Sequence, residues 1–239
     1  VEANPTEFAP RLALIEFHLR NKDSKAALAA AQNALAAIPD KPELLDALGR
    51  TQQIAGDSNQ ALATFAKLAA LQPASPTAAM RMAEIQLANK NKDEAAKSLR
   101  RALEIKPDLL EAQRGLIMLA MEGKKPQDAL ALARNIQKQR PKEAVGFVLE
   151  GDIFASGKQW PEAIAAYRSG LKQITAPELV IKTHSALLTS GNTADAEKTA
   201  DAWIKQHPKD IAFRMHLGDI ATAQKNYSVA AQHYRLALE

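Results

Sequence analysis

Five histidines, His18, His184, His207, His216 and His233, are the side chains of this sequence best suited to metal ligation or to proton transfer near neutral pH. A zinc site needs three or four converging ligands at suitable spacing. Here the histidines are scattered. Only His216 and His233 fall on opposite helices of one expected hairpin, where they are expected to approach each other as surface or packed side chains and not as ligands. The chain has no H-E-x-x-H, no glycine-rich phosphate loop and no G-x-S-x-G. It has no cysteine, which removes disulfides, thiol nucleophiles and cysteine-based zinc sites. Carboxylates are plentiful, but most sit in turns or on outward faces, as in "NKNKDE" from Asn89 and "DLLEA" from Asp108. There they cap or solvate helices, whereas general acid–base work needs an enclosed site that shifts their pKa values. The sequence thus predicts no catalytic residue, no cofactor and no metal.

Charge narrows the partners. Lys+Arg 31 against Asp+Glu 27 leaves +4, spread as alternating signs instead of blocks. The densest basic groups, "KSLRR" at Lys97, "GKK" at Gly123 and "QKQRPK" at Gln137, lack interleaved aromatics on which bases would stack, so they read as solvated surface and predict no nucleic-acid partner. No run of eighteen apolar residues exists, so no direct membrane insertion is expected from this segment. The chain starts without Met, and a signal sequence, if the gene has one, is expected to lie outside it.

The elements that must position any site are set by a repeat. Prolines fall at Pro5, Pro39, Pro73, Pro107 and Pro141, each 34 residues after the last, and again at Pro208, with Thr175 where one more is due. Alanine keeps the same phase at Ala27, Ala61, Ala95, Ala129, Ala163, Ala196 and Ala230. A fixed period of this size means stacked supersecondary units. Inside one unit, "PELLDALGRTQQIA" from Pro42 carries a helical apolar stripe through Leu44, Leu45, Leu48 and Ile54. Gly56-Asp57 stops it. "NQALATFAKLAAL" then forms a second stripe, which Pro73 ends. The equivalent turns are "NKDS" at Asn21, "NKNKDE" at Asn89, "GKKP" at Gly123, "GKQW" at Gly157, "GNTA" at Gly191 and "KNYS" at Lys225. A lone hairpin buries too little apolar surface, so copies stack, and each must end alike to meet the next. The phased alanines let paired helices approach, while Phe65, Leu99, Tyr167 and Tyr234 fill the gap one turn later.

These marks resemble the tetratricopeptide repeat. Gly49, Gly151 and Gly218 match its small first-helix residue. Trp160 and Tyr227 match its turn aromatic, Tyr167 and Tyr234 its second-helix aromatic, and Ala34, Ala102 and Ala237 its later small residue. Ile15, Ile117 and His184 depart at the first-helix position and Trp203 at the late alanine, where looser or reorganised packing is expected. The resemblance covers essentially the whole chain. It implies an all-α, right-handed superhelical solenoid of about seven hairpins, over residues 8–41, 42–75, 76–109, 110–143, 144–176, 177–210 and 211–239, in one array. "VEANP" reads as the last turn of a preceding second helix and the sequence stops as the seventh second helix finishes, so the array is expected to be an excerpt of a longer one.

The resemblance further implies a non-enzymatic protein–protein interaction scaffold whose first helices line a concave groove. The positions it assigns to that groove are Glu43, Asp46, Arg50, Gln53, Met80, Glu84 and Leu87. They continue through Glu111, Arg114, Met118, Met121, Val148, Asp152, Ile181, Ser185, Leu188, Met215 and Asp219. Four of five methionines fall on this set, with Met82 pointing into the stack; methionine suits adaptable binding surfaces, and equally fills gaps between neighbouring helices. The expected partner is a protein or peptide segment, with oligomeric state left open. The lysine–asparagine clamp that some members use for C-terminal carboxylates is not reproduced. In its alanine-rich texture, as in "ALAAAQNALAAIPDKPELLDALG", the chain looks like the bacterial tetratricopeptide lipoproteins of exopolysaccharide and PEP-CTERM protein-sorting systems. That would place it in the periplasm or cell envelope; a cytoplasmic adaptor is the alternative, and a catalytic or metal-dependent solenoid a distant third.

Overall fold

The computed structural model describes residues 7–238; Pro5, "VEANP" and Glu239 lie outside them. The described residues form fourteen α-helices in seven consecutive pairs. They are α1 (Phe8–Arg20) with α2 (Ser24–Ala37), α3 (Pro42–Ile54) with α4 (Ser58–Leu71), and α5 (Thr77–Ala88) with α6 (Lys92–Ile105). Next come α7 (Leu110–Glu122) with α8 (Pro126–Gln139), and α9 (Val145–Ser156) with α10 (Trp160–Leu171). The last are α11 (Pro177–Thr189) with α12 (Thr193–Gln206) and α13 (Ile211–Ala223) with α14 (Tyr227–Leu238). The described residues divide into two compact units, one ending at residue 119 and one starting at residue 120, with the division inside α7.

Two local rules repeat along the chain. After each first helix one residue enters the left-handed region: Lys22, Gly56, Lys90, Lys124, Lys158, Gly191 and Lys225, with φ between 56° and 89°. In the first turn the Lys22 N–H donates to the Leu19 carbonyl and the Asp23 N–H to the His18 carbonyl, both at 3.0 Å. The same pair of bonds closes the other six turns, the double closure that satisfies carbonyls left open at a helix end. In "GKKP" and "GKQW" the left-handed residue is not the glycine, unlike Gly56 in the second hairpin. Gly157 has φ −87°, and the lysine after each glycine takes the left-handed place. After each second helix the residue preceding proline is forced into extended φ. Ile38, Gln72, Lys106, Arg140 and His207 all lie between −127° and −133°. Where Thr175 replaces proline, Lys172 stays helical at φ −69° and the Ile174 N–H still donates to the Gly170 carbonyl.

Packing follows the phased residues. Ala27, Ala61, Ala95, Ala129, Ala163 and Ala196 are fully buried and Ala230 nearly so, so a methyl is all the space between paired helices admits. In the first unit, Ile15, Ala31, Ala34, Leu44, Ala47 and Leu48 form one core cluster from α1, α2 and α3. Leu45, Ala61, Phe65, Leu68, Ala78 and Ile85 form the next from α3, α4 and α5, with Met82 against it as expected. In the second unit, Val180, Ala200 and Phe213 join α11, α12 and α13 in the same way. Each cluster takes a hairpin plus the first helix of the following one, which is why a hairpin alone does not suffice.

The first-helix departures are compensated, not loosened. A Cβ built on Gly151 would lie 2.1 Å from the Tyr167 ring, and one on Gly49 2.6 Å from Phe65. Where the first helix carries Ile15 in that place, the second-helix residue sixteen positions on is Ala31, and both are fully buried. His184 likewise has Ala200 at that spacing. Large and small exchange sides and the summed volume is kept.

Candidate functional site

Side chains left over by this packing define the first-helix faces. In the first unit they are mostly charged and already bound to one another. Arg50 Nη2 donates to Glu16 Oε1 at 2.9 Å, and its Nε lies 3.2 Å from Asp46 Oδ2. Arg81 Nε donates to Asp46 Oδ1 at 3.1 Å, and its Nη1 to Glu84 Oε2 at 3.2 Å. The result is a ladder of alternating sign across α1, α3 and α5. Sequence reasoning named Asp46, Arg50 and Glu84 but missed Glu16 and Arg81. The readable trace was opposite charge one repeat apart: Glu16 and Arg50 are separated by 34 residues, Asp46 and Arg81 by 35. Burial works against the Arg81 charge, but Asp46 and Glu84 outweigh it and raise the pKa. Glu43, beside this ladder, is exposed and pairs with Lys41 at 3.4 Å. Met80, Gln53 and Leu87 are half-buried.

Along α7, Glu111, Arg114 and Met118 are solvent-facing, with 44% of Met118 exposed, and Met121 is half-buried. In the second unit Asp152 accepts a 2.6 Å hydrogen bond from the Tyr167 hydroxyl and pairs with Lys182 of the next first helix at 2.9 Å. Asp219 accepts from the Tyr234 hydroxyl at 2.8 Å. The two tyrosines reach these carboxylates because Gly151 and Gly218 let their rings cross over the first helix. Burial first, then the bond to Asp152 and its charge, push the Tyr167 phenol well above its usual range, so it stays a donor. Met215 is 43% exposed, and Ile181, Ser185 and Leu188 are half-buried. Val148 is a correction. It is 7% exposed and belongs to the core with Phe147 and Leu179, because α9, "VGFVLEGDIFAS", is apolar on more than one side and has no clear polar face to set that position toward solvent.

Sequence reasoning set His216 beside His233 of its own hairpin and missed a partner on the preceding first helix. His216 meets His184, Nε2 to Nδ1 at 2.9 Å with the rings edge to face. Phe213 lies against both rings. Burial, then the neighbouring His216, lower His184 to about 4, and burial lowers His216 although Asp219 opposes it. His233 is lowered by burial and then by Arg214. The pair sits across successive first helices, α11 and α13, a contact that reasoning within one hairpin does not reach. Among the described residues no group of three or more His, Asp or Glu side chains is placed to hold a metal ion. No helix among them is long and apolar enough to cross a membrane.

The basic groups divide. Lys97 pairs with Glu94 at 2.7 Å and Arg101 with Glu104 at 2.8 Å, exposed pairs as expected of a solvated face. Gln137 instead ties α8 to α9, donating to the Gly146 carbonyl and to Glu150. Chemically, the first-helix faces offer ion ladders, carboxylates held by tyrosine hydroxyls, and protruding thioether tips. Such a surface is equipped to recognise another chain through complementary charge and adaptable apolar contact.

Comparison with known proteins agrees with this architecture. The tetratricopeptide repeat model matches residues 47–109, 112–176 and 185–239. No curated protein matches the sequence. Among solved structures, a tetratricopeptide repeat protein from Parabacteroides merdae is 15% identical, covering 96% of this chain and 91% of that one at a TM-score of 0.58. PilF of Pseudomonas aeruginosa is 13% identical, covering 87% and 95% at a TM-score of 0.56. A chain from the structure of Naa15/Naa10 bound to HypK-THB is 18% identical at a TM-score of 0.54, and its match covers 98% of this chain but 37% of that one. At these identities the likeness shows the fold. With the repeat model spanning most of its length, the chain belongs to the tetratricopeptide repeat family.

Proposed function

We propose that the chain is a non-enzymatic scaffold that binds a protein or peptide segment along its first-helix faces. The observation that carries this is the exposure of large apolar side chains there. Met118 and Met215 protrude at 44% and 43% on α7 and α13, where packing has no use for them. Charged groups that fix orientation share those faces: Arg114 one turn and Glu111 two turns before Met118, Asp219 one turn after Met215. Tetratricopeptide repeats generally mediate protein–protein contact, and the structure of Naa15/Naa10 bound to HypK-THB shows a related fold in an assembly. The finer setting, a bacterial envelope, exopolysaccharide or protein-sorting assembly facing the periplasm, rests on the alanine-rich texture of the sequence.

The test is Arg114→Ala with Met118→Ala, titrated against the native partner. Both side chains point to solvent, so the fold is retained. Binding falls ten-fold or more, using ~1–2 kcal/mol for each anchor in a site where few residues dominate. Lys138→Ala, exposed in the last turn of α8, is the control and leaves affinity unchanged. A loss confined to the control moves the site to the second helices.

A further inference from the structure

The chain departs from its own repeat twice in one neighbourhood. Thr175 stands in a proline position, and Trp203 stands where the other second helices carry Ala34, Leu68, Ala102, Ile136, Gly170 and Ala237. Those six are buried. An indole does not fit the same slot, so Trp203 packs one edge on the Val180–Ala200–Phe213 cluster and keeps part of its surface in solvent. The ring is held in one orientation. Its Nε1 donates to Asp210 Oδ2 at 2.6 Å, and the His207 ring lies against it with centroids 4.2 Å apart. The other Asp210 oxygen accepts from the Phe213 N–H at the start of α13, so each oxygen of that carboxylate holds one donor.

Two cavities share this ring. One, about 340 Å³, lies between α10 and α12 over Leu171 and Val180. The other, about 520 Å³, is edged by Thr175, Pro177, Pro208 and Ile211, the last 61% exposed. Both departures from the repeat therefore line one surface, and both cavities have the size of a ligand pocket. The rim is basic. Lys198 is met by Asp195 at 3.6 Å, whereas Arg168 in the first cavity and Lys209 in the second form no ion pair among the described residues.

We propose that the Trp203 surface docks a short acidic segment of a protein partner. An apolar side chain enters beside the indole, and flanking carboxylates meet Arg168 and Lys209. A fixed, half-exposed tryptophan is the residue type that anchors such contacts, and its prior immobilisation lowers the ordering cost of binding. This site lies on α10, α12, the loops beside them and the first turns of α11 and α13, and it uses none of the first-helix side chains proposed above.

The test uses the full chain carrying Trp160→Phe, so that Trp203 is the single fluorescent tryptophan of the two present. The probes are three dodecapeptides with a common phenylalanine–isoleucine centre flanked by aspartates, by serines or by lysines. The aspartate peptide shifts Trp203 emission saturably and binds at least ten-fold tighter than the lysine peptide. Arg168→Glu with Lys209→Glu reverses that order at unchanged circular dichroism, which keeps the test decisive without removing Trp203. Arg114→Ala with Met118→Ala leaves it intact, so failure here is separable from failure of the first-helix reading. Equal affinity for all three peptides, no saturable response to the aspartate peptide, or tighter binding of a thymidine dodecamer overturns the proposal.

Discussion

Gly151 sits where the fold leaves no room for a single methyl, so Gly151→Ala tests the packing account directly. Its Cβ would lie 2.1 Å from Tyr167 Cε1 and 2.5 Å from Cδ1. That ring is 2% exposed and anchored through its hydroxyl to Asp152, so it cannot swing aside cheaply. Overpacking of this kind costs about 1–3 kcal/mol. Alanine in place of glycine inside a helix returns roughly 1 kcal/mol. The net is a destabilisation of up to about 2 kcal/mol. In a Tyr167→Ala background the clash disappears and only the helix gain remains, so the same substitution stabilises by roughly 1 kcal/mol. The sign therefore reverses, with a coupling of about 1–3 kcal/mol between the two sites. The natural pair of Ile15 with Ala31, both fully buried, is the same exchange made by the sequence itself. Urea unfolding of the four proteins, followed by circular dichroism, measures the cycle. Equal effects of Gly151→Ala in both backgrounds would refute the reasoning.

Two further predictions concern pH and the turns. His184 and His216 have lowered pKa values in the folded chain, His184 about 4, against ~6.5 when unfolded. Their neutral packing thus contributes stability that is fully present above ~6.5 and is lost as pH falls toward the folded values. The melting temperature drops between pH 7 and 4 more steeply in the native protein than in His184→Ala with His216→Leu; parallel curves sink the idea. The left-handed turn positions predict opposite signs for opposite changes. Gly56→Ala, at φ 89°, destabilises by roughly 1 kcal/mol, while Lys124→Gly, at φ 56°, relieves strain and stabilises by up to ~1 kcal/mol. Thermal melts of the two variants measure this, and a shared sign contradicts the turn assignment.

The repeat was legible because proline and buried alanine each have one physical role, ending a helix and admitting a close neighbour, and both recur in phase. The turn geometry was half legible. Gly56 announces a left-handed residue, but Lys22, Lys90, Lys124, Lys158 and Lys225 do not, since lysine has no preference for that conformation and the turn's hydrogen bonds impose it. First-helix exposure at Arg114, Met118 and Met215 followed from the register that the family resemblance implies, and failed at Val148 because α9 lacks a clear polar side. Contacts between successive repeats were missed for a different reason. Arg50 with Glu16, Lys182 with Asp152 and His216 with His184 join residues 30 to 34 apart, so they appear only when complementary side chains are compared at about one period's offset. Trp203 was visible as a departure, but its anchoring by Asp210 depends on how α12 meets α13.

The central claim, that the first-helix faces hold the partner, is tested most directly by site-specific photocrosslinking in source cells. A photoreactive phenylalanine replaces Met118 or Met215 on the first helices, or Lys138 on a second helix, one at a time. The account predicts one partner protein covalently attached at positions 118 and 215, with the same adduct absent at 138. An adduct at 138 with none at 118 or 215 would contradict it.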